Sequence, residues 1–278
     1  MLKLYQYPAS ICSQKVSLVL AEKGLEHEGV YVDLEGAEQY SPEYLAINPN
    51  GVVPSLVHDG VVILDSSAIA EYLDESFPSP PLSPADPAGR GDMRRLMRFF
   101  EQVPTPAIRY PSWQNFFIPM FVAAGQLGQF RQSAIHHPHH GHFYGLIGED
   151  GLPARLLDEA NEDLKRTFEQ MDAVLADRRS FLLGSDVTLA DLIILPVIVR
   201  AEDVGLERLW ADRPAVAGWY ARMQARSSFG TVFGPAGTRL RAVGGKMLGD
   251  RTVAAWPVQP KDAAVRRGRV DMDAFRDG

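Results

Sequence analysis

Val53-Pro54-Ser55-Leu56-Val57-His58-Asp59-Gly60-Val61-Val62-Ile63-Leu64-Asp65-Ser66-Ser67 decides the fold, because it passes from strand period to helix period within one short stretch. Ser55 to His58 and Val61 to Leu64 flank Asp59-Gly60, the dipeptide that suits a type I′ turn, so the two runs form a hairpin. Asp65-Ser66-Ser67 then offers side-chain oxygens to the start of a helix whose Ile69, Tyr72 and Leu73 recur at i, i+3 and i+4. Pro54 has no N–H to give to a ladder, so it opens the strand, and the Val53-Pro54 bond is a candidate for the cis isomer.

Upstream of the hairpin, Leu2 to Tyr7 alternates as a strand, and the loop Pro8-Ala9-Ser10 leads into a helix from Cys12 to Lys23. Cys12, Val16, Val19 and Leu20 share one face of that helix, and Gly24 supplies its stop. Val30-Tyr31-Val32 makes a second strand, and Tyr40 to Ile47 a poorer helix ended by the turn cluster Asn48-Pro49-Asn50-Gly51. The order β-α-β-α-β-β-α predicts an α/β thioredoxin-like domain with a mixed four-stranded sheet.

Downstream, Phe77-Pro78-Ser79-Pro80-Pro81-Leu82-Ser83-Pro84 reads as a stiff connector, and strand alternation stops there. Met93 to Val103 starts a helix that Pro104, Pro106, Pro111 and Pro119 must kink or interrupt. Leu157, Ala160, Leu164, Phe168, Met171 and Leu175 trace the face of a long helix. Thr188-Leu189-Ala190-Asp191 has capping-box form, and Val216, Trp219, Tyr220 and Met223 mark another helical face. The expected division is therefore a sheet-bearing domain over residues 1–77, a Pro-rich linker over 78–88, an all-α helical domain over 89–234 and a basic extension over 235–278.

At 278 residues, 46% apolar and 23% charged, the composition is that of a soluble chain with room for two modest cores. No run of 18 apolar residues occurs and the first residues alternate, so the expectation is a cytoplasmic protein with neither membrane span nor leader. Cys12 is the single cysteine, which excludes an internal disulfide. The net charge of −7 is uneven: nine Lys/Arg against five Asp give residues 235–278 a charge of +4 and leave the remainder at −11. An acidic body argues against nucleic acid as the main partner.

Three segments in order, Ser10-Ile11-Cys12-Ser13, Asn48 to Pro54 and Asp65 to Leu73, followed by a helical half with the box at Thr188, make the chain similar to the cytosolic glutathione transferases. The likeness runs over residues 1 to 230 or so. The Ser-x-Cys-Ser start most resembles the zeta-type enzymes and bacterial reductive dehalogenases, and the helical half resembles bacterial aryl-ether-cleaving relatives. The resemblance implies a cytoplasmic homodimer that uses glutathione as co-substrate, needs no metal, and directs its thiolate at a small apolar, aromatic electrophile. Addition or substitution, with displacement of halide or aryloxide, would follow. It leaves two other readings open: thiol-disulfide or reductive dehalogenase chemistry at Cys12, and a non-catalytic glutathione-transferase-like binding module.

The site expectations follow residue by residue. Ser10, in the loop ahead of the first helix, can point a hydroxyl at an anionic sulfur or simply cap that helix. Cys12 can exchange disulfides with glutathione or fill the core as an inert thiol. Ser13 offers a second hydroxyl, and Tyr5 or Tyr7 is a lesser candidate for the same task. The backbone of Val53 beside Pro54 can pair with the cysteinyl amide of glutathione as an added strand. Asp65 and Ser66 suit the γ-glutamyl ammonium and carboxylate, or a plain helix cap. With no Lys, Gln or His at Asn50-Gly51, the glycine carboxylate is left to Gln39 or Asn50. Tyr110, Trp113, Phe116 and Phe117 either line the electrophile pocket or belong to the core. The run His136-His137-Pro138-His139-His140-Gly141-His142 raises a metal site, weighed against a polar surface loop near the pocket mouth.

Overall fold

The structure is a computed structural model that describes residues 1–34, 36–134, 137, 140–235 and 238–240. Strand β1 (Leu2–Gln6) is followed by helix α1 (Ile11–Lys23), strand β2 (Glu28–Tyr31), a 3-10 turn (Glu38–Tyr40), the short helix α2 (Pro42–Leu45), strands β3 (Ser55–His58) and β4 (Val61–Leu64), and helix α3 (Ser66–Ser76). The sheet order is β2-β1-β3-β4, with β2 parallel to β1 and the other two pairs antiparallel. This is the mixed four-stranded, thioredoxin-like arrangement read from the sequence. Leu4 lies opposite Leu56 and Leu56 opposite Ile63, so the two fully buried leucines stand at the centre of the sheet.

The local signals act as their chemistry requires. Asp59 and Gly60 both take positive φ, 49° and 88°, which is the type I′ hairpin. Gly24 ends α1 in the left-handed region with φ 62°. Two elements differ from expectation. β2 begins two residues before the Val30 start, because Glu28 and Gly29 pair with Lys3 and Leu4 on an edge whose exposure permits polar residues. The helix expected over Tyr40 to Ile47 is split, since Pro42 disfavours helical geometry at Ser41, whose hydroxyl instead caps α2 by accepting from Tyr44 N–H at 3.2 Å.

From Pro87 onward the described residues contain helices and two isolated bridges. Helix α4 (Pro87–Gln102) starts earlier than its apolar spacing indicates, because Asp86 accepts from Gly89 N–H at 2.8 Å and Pro87 is at home in a first turn. The prolines then break the path into α5 (Pro104–Ala107), α6 (Arg109–Ser112), a π turn (Trp113–Phe117) and α7 (Ile118–Ala123). The chain continues through α8 (Leu127–Ala134), α9 (Gly141–Tyr144), α10 (Ala154–Leu175), α11 (Leu189–Asp203), α12 (Arg208–Ala211), α13 (Pro214–Gln224) and α14 (Ser227–Phe233).

Helix α11 is the hub. Every residue from Leu189 to Ala201 is buried, and one continuous apolar core runs from Leu4, Val16 and Ile69 through this helix to Trp219. Its start is fixed by Asp191, whose Oδ2 accepts from Thr188 N–H and Oγ1–H, both at 2.9 Å. Its Oδ1 accepts from Leu182 N–H at 2.9 Å and Trp219 Nε1–H at 2.8 Å. Burial pushes this carboxyl up, and the four donors oppose that shift. Lys15 ties the sheet-bearing half to the helices: its fully buried Nζ meets Glu101 Oε1 at 2.7 Å and Thr105 Oγ1 at 3.0 Å, while Ser67 Oγ donates to the same Glu101 oxygen at 2.5 Å.

Candidate functional site

The loop between β1 and α1 faces the helices across a cavity of about 250 Å³. One wall is backbone-rich: Tyr7, Ala9, Ser10, Ile11 and Cys12 from that loop, and Gly51, Val52 and Val53 from the turn before β3. The Val53-Pro54 bond is cis. Gly51 sits at φ 62°, and a Cβ there would come within 2.7 Å of the Tyr40 ring, so glycine alone lets this turn pass beneath Tyr40.

The opposite wall is made of side chains from the broken helical path. Thr105, Ile108, Arg109, Ser112 and Trp113 follow one helical stripe, which a regular helix would continue through position 116. Instead Ile118 N–H bonds to Trp113 O, an i→i+5 closure, and the extra residue advances the stripe to Phe117, Met120 and Phe121. That phase shift explains why Phe117, and not Phe116, reaches the cavity. Trp113 and Phe117 line it. Phe116 and Tyr110 do not: Phe116 packs edge-on against Phe117 at 5.1 Å, and Tyr110 against Phe143 at 5.1 Å.

Ser10 and Cys12 reach the same wall. Ser10 is the N-cap of α1, and its Oγ accepts from Ser13 N–H at 3.3 Å, so cap and cavity roles coexist in one hydroxyl. Cys12 is half-buried and lines the cavity rather than filling the core. Ser13 is fully buried with Oγ accepting from Tyr7 N–H at 3.3 Å, which turns it away from the cavity. Tyr7 lines the cavity, whereas Tyr5 packs on Tyr44 with ring centroids 6.0 Å apart.

The remaining expected residues divide. Gln39 is buried on the cavity wall, with Oε1 lacking a hydrogen-bond partner. Asn50 is exposed and off the wall, its N–H donated to Asn48 Oδ1 at 3.1 Å. Asp65 and Ser66 stand at the start of α3, where Asp65 Oδ1 accepts from Ser67 N–H at 2.9 Å and Ala68 N–H at 3.0 Å. Asp65 does so at φ 73°, a conformation costly for a residue with a Cβ and characteristic of functional positions.

The histidine run divides where it is described: His142 is exposed on α9, His140 is half-buried and His137 is buried. His137 is buried and stacks on Tyr40 at 4.3 Å, and Tyr144 meets it edge-on at 5.3 Å. His140 lines the cavity. His136 and His139 lie outside the described residues. Among the described residues no three His, Cys, Asp or Glu side chains group as metal ligands. Burial pushes the Tyr40 phenol up to about 12, so this tyrosine is neutral at physiological pH.

Two cations on the wall escaped the reading of the sequence. Arg109 holds its guanidinium over the Phe143 ring at 5.5 Å. Arg200, in α11, is buried and donates to Ala9 O in the loop ahead of α1. Arg200 had a signal available: it is the one charged residue between Asp191 and Glu202, inside a helix apolar on every side.

Residues 4–81 match the family model described as "Glutathione S-transferase, N-terminal domain", and residues 154–222 match "Glutathione S-transferase, C-terminal domain". The chain is 33% identical over 201 residues to a zeta class glutathione S-transferase of Euphorbia esula, spanning 72% of this chain and 76% of that one. It is 28% identical over 237 residues to a tetrachloro-p-hydroquinone reductive dehalogenase of Sphingobium chlorophenolicum, spanning 82% and 94%. The crystal structure of the beta-etherase LigF from Sphingobium sp. strain SYK-6 superposes with a TM-score of 0.73 at 27% identity, covering 84% of this chain and 98% of that one. Among the described residues no helix is long and apolar enough to cross a membrane.

Proposed function

This chain is a member of the glutathione S-transferase family, and from that membership we propose that it ionises the glutathione thiol with the help of Ser10 and aims it at an apolar, aromatic electrophile. The observation that carries this reading is the shared cavity. Ser10 and Cys12 stand on one wall, and Trp113, Phe117 and Phe121 on the other.

A free thiol with a pKa near 8.5 is only about 3% ionised at pH 7. Lowering that pKa by one to two units takes about 1.4–2.7 kcal/mol, within reach of one or two charge-assisted hydrogen bonds. The Ser10 hydroxyl can supply one, because the bond it accepts from Ser13 N–H fixes the oxygen while leaving its proton free to donate. The thiolate then forms a C–S bond to the electrophilic carbon, and in a substitution the leaving halide or aryloxide departs with its electron pair. Positioning against a flat aromatic wall supplies the rest, since sulfur is intrinsically reactive once ionised.

For the tripeptide itself, the Val53 backbone pairs with the cysteinyl amide. Asp65 and Ser66 take the γ-glutamyl end, a role that the strained backbone at Asp65 favours. Gln39, which lines the cavity where Asn50 does not, takes the glycine carboxylate through its amide N–H in preference to Asn50. On the same reading residues 1–77 bind glutathione, residues 89–234 bind the electrophile, and the enzyme is a cytoplasmic homodimer acting on aromatic compounds in detoxification or catabolism.

Ser10→Ala tests the assignment. The expected result is a fall in kcat of about tenfold to a hundredfold with an aryl halide, with glutathione affinity little changed. Unaltered turnover transfers the role to Cys12. That second reading has its own support, because Cys12 lines the cavity. Its thiolate would attack one sulfur of oxidised glutathione, forming a Cys12–glutathione disulfide and releasing one glutathione thiolate. A mass increase of one glutathionyl group on the wild-type chain, lost in Cys12→Ser, is the expected result for this reading.

A further inference from the structure

Arg200 is a buried cation on the cavity wall whose neighbouring acid is shared with a second arginine. Its guanidinium, on a side chain with 7% residual exposure, donates to Ala9 O, a neutral carbonyl. The carboxylate one helical turn along, Asp203, is turned to another partner. Asp203 Oδ1 meets Arg239 Nε at 2.8 Å, and its Oδ2 accepts from Leu240 N–H at 2.9 Å. Arg239 also donates to Glu202 Oε2 at 2.6 Å. Arg239 and Leu240 therefore take both oxygens of Asp203, the acid whose charge also acts on Arg200. The same short segment reaches the loop of the site from its other side, where Gln14 Nε2 donates both to Thr238 O at 2.7 Å and to Pro8 O at 2.9 Å.

What Arg200 faces is the sulfur end of the cavity. Tyr7 and Cys12 are the groups besides Asp203 that feel its charge. Elsewhere on the wall the ionisable side chains are Tyr40, Arg109, His140 and Tyr144, and among the described residues no carboxylate lines it. Both tyrosines are held neutral by burial. Burial disfavours the Arg200 charge as well, lowering its pKa to about 10, which leaves the guanidinium protonated at physiological pH with its hydrogen bond spent on a neutral carbonyl.

We infer that Arg200, which shares Asp203 with Arg239, is the cation that favours the ionised form of the glutathione sulfur at Ser10 and Cys12. This rests on the reading of the cavity as the glutathione site, and it adds to it an electrostatic partner from the centre of α11. The thiol proton leaves to solvent, and the negative sulfur left behind neutralises a charge that the fold keeps buried. A guanidinium held against the Ala9 carbonyl cannot swing away, so it is positioned before glutathione arrives.

The experiment titrates the thiol of enzyme-bound glutathione by ultraviolet thiolate absorbance, alongside the pH profile of kcat/KM with an aryl halide. Arg200→Gln is expected to raise the apparent pKa by about one unit, with kcat/KM about tenfold lower below the wild-type pKa and converging on wild type at alkaline pH. Arg200→Lys, which keeps the charge, is expected to retain most of the wild-type profile. Arg239→Gln, remote from the sulfur, leaves Asp203 to act on Arg200 alone and is expected to raise the pKa by about half a unit, a threefold rise in proton affinity, and this variant carries the test if Arg200→Gln does not fold. An unmoved pKa in Arg200→Gln, or a loss of rate equal at every pH, overturns the inference while glutathione binding by calorimetry remains intact. Absence of that binding in the wild-type protein removes the underlying reading instead.

Discussion

The two walls of the cavity are built on opposite terms. The loop wall is fixed by the main chain: a cap at Ser10, a left-handed glycine at Gly51, and carbonyls of Pro8 and Ala9 held by Gln14 and Arg200. The helical wall is a row of aromatic side chains whose direction is set by a π turn. A wall fixed through backbone bonds suits a constant ligand such as glutathione, since small displacements break directional contacts. A wall of apolar rings tolerates exchange of one shape for another, because dispersion and apolar burial are not directional. The difference teaches where substitutions should act on affinity for the tripeptide and where on the choice of electrophile.

The largest effect should break both walls at once. Asp191→Ala removes the acceptor of four buried hydrogen bonds at the start of the hub helix, including that from Trp219. A loss of about 3–5 kcal/mol in chemical denaturation is expected, as for other removals from buried charged networks. Gly51→Ala should strike the loop wall alone. A left-handed alanine costs about 1–2 kcal/mol and its Cβ meets the Tyr40 ring, so glutathione affinity by calorimetry should fall about tenfold or more.

Acid should loosen the loop wall from behind. Burial acts to raise the Glu22 carboxyl, but two bonds of 2.6 Å from Arg226 and one of 2.5 Å from Ser228 outweigh it and hold the group below the usual glutamate range. This tie between α1 and α14 therefore stabilises the fold above the unfolded glutamate pKa and is lost as pH falls through the lowered folded value. Wild type should lose about 1 kcal/mol more than Glu22→Gln over that acid limb of a stability-versus-pH curve. The smallest effect belongs to the aromatic wall: Phe117→Ala should raise KM for an aryl electrophile about fivefold and leave glutathione affinity unchanged, as loss of one partly buried ring contact predicts.

Legibility followed the same division. Ser10, Val53, Pro54 and Asp65 were readable because a cap, a ladder break or a helix start leaves a local mark in residue type. Phe116 and Phe117 could not be told apart from the sequence, because spacing assumes a regular period and the π turn shifts phase with no side-chain signature of its own. His137 seemed a surface residue by its polar neighbours. A ring of Tyr40, far away in the chain, is what buries it.

The chain by itself determined the order of strands and helices, the hairpin turn, the caps and the glycine stops, since each depends on atoms a few residues apart. Only the tertiary structure decided which aromatic rings face the cavity, and that Arg239 takes Asp203 and leaves Arg200 beneath Ala9. Those outcomes depend on contacts between residues far separated in sequence, where packing and charge compete across helices and no local preference selects the winner.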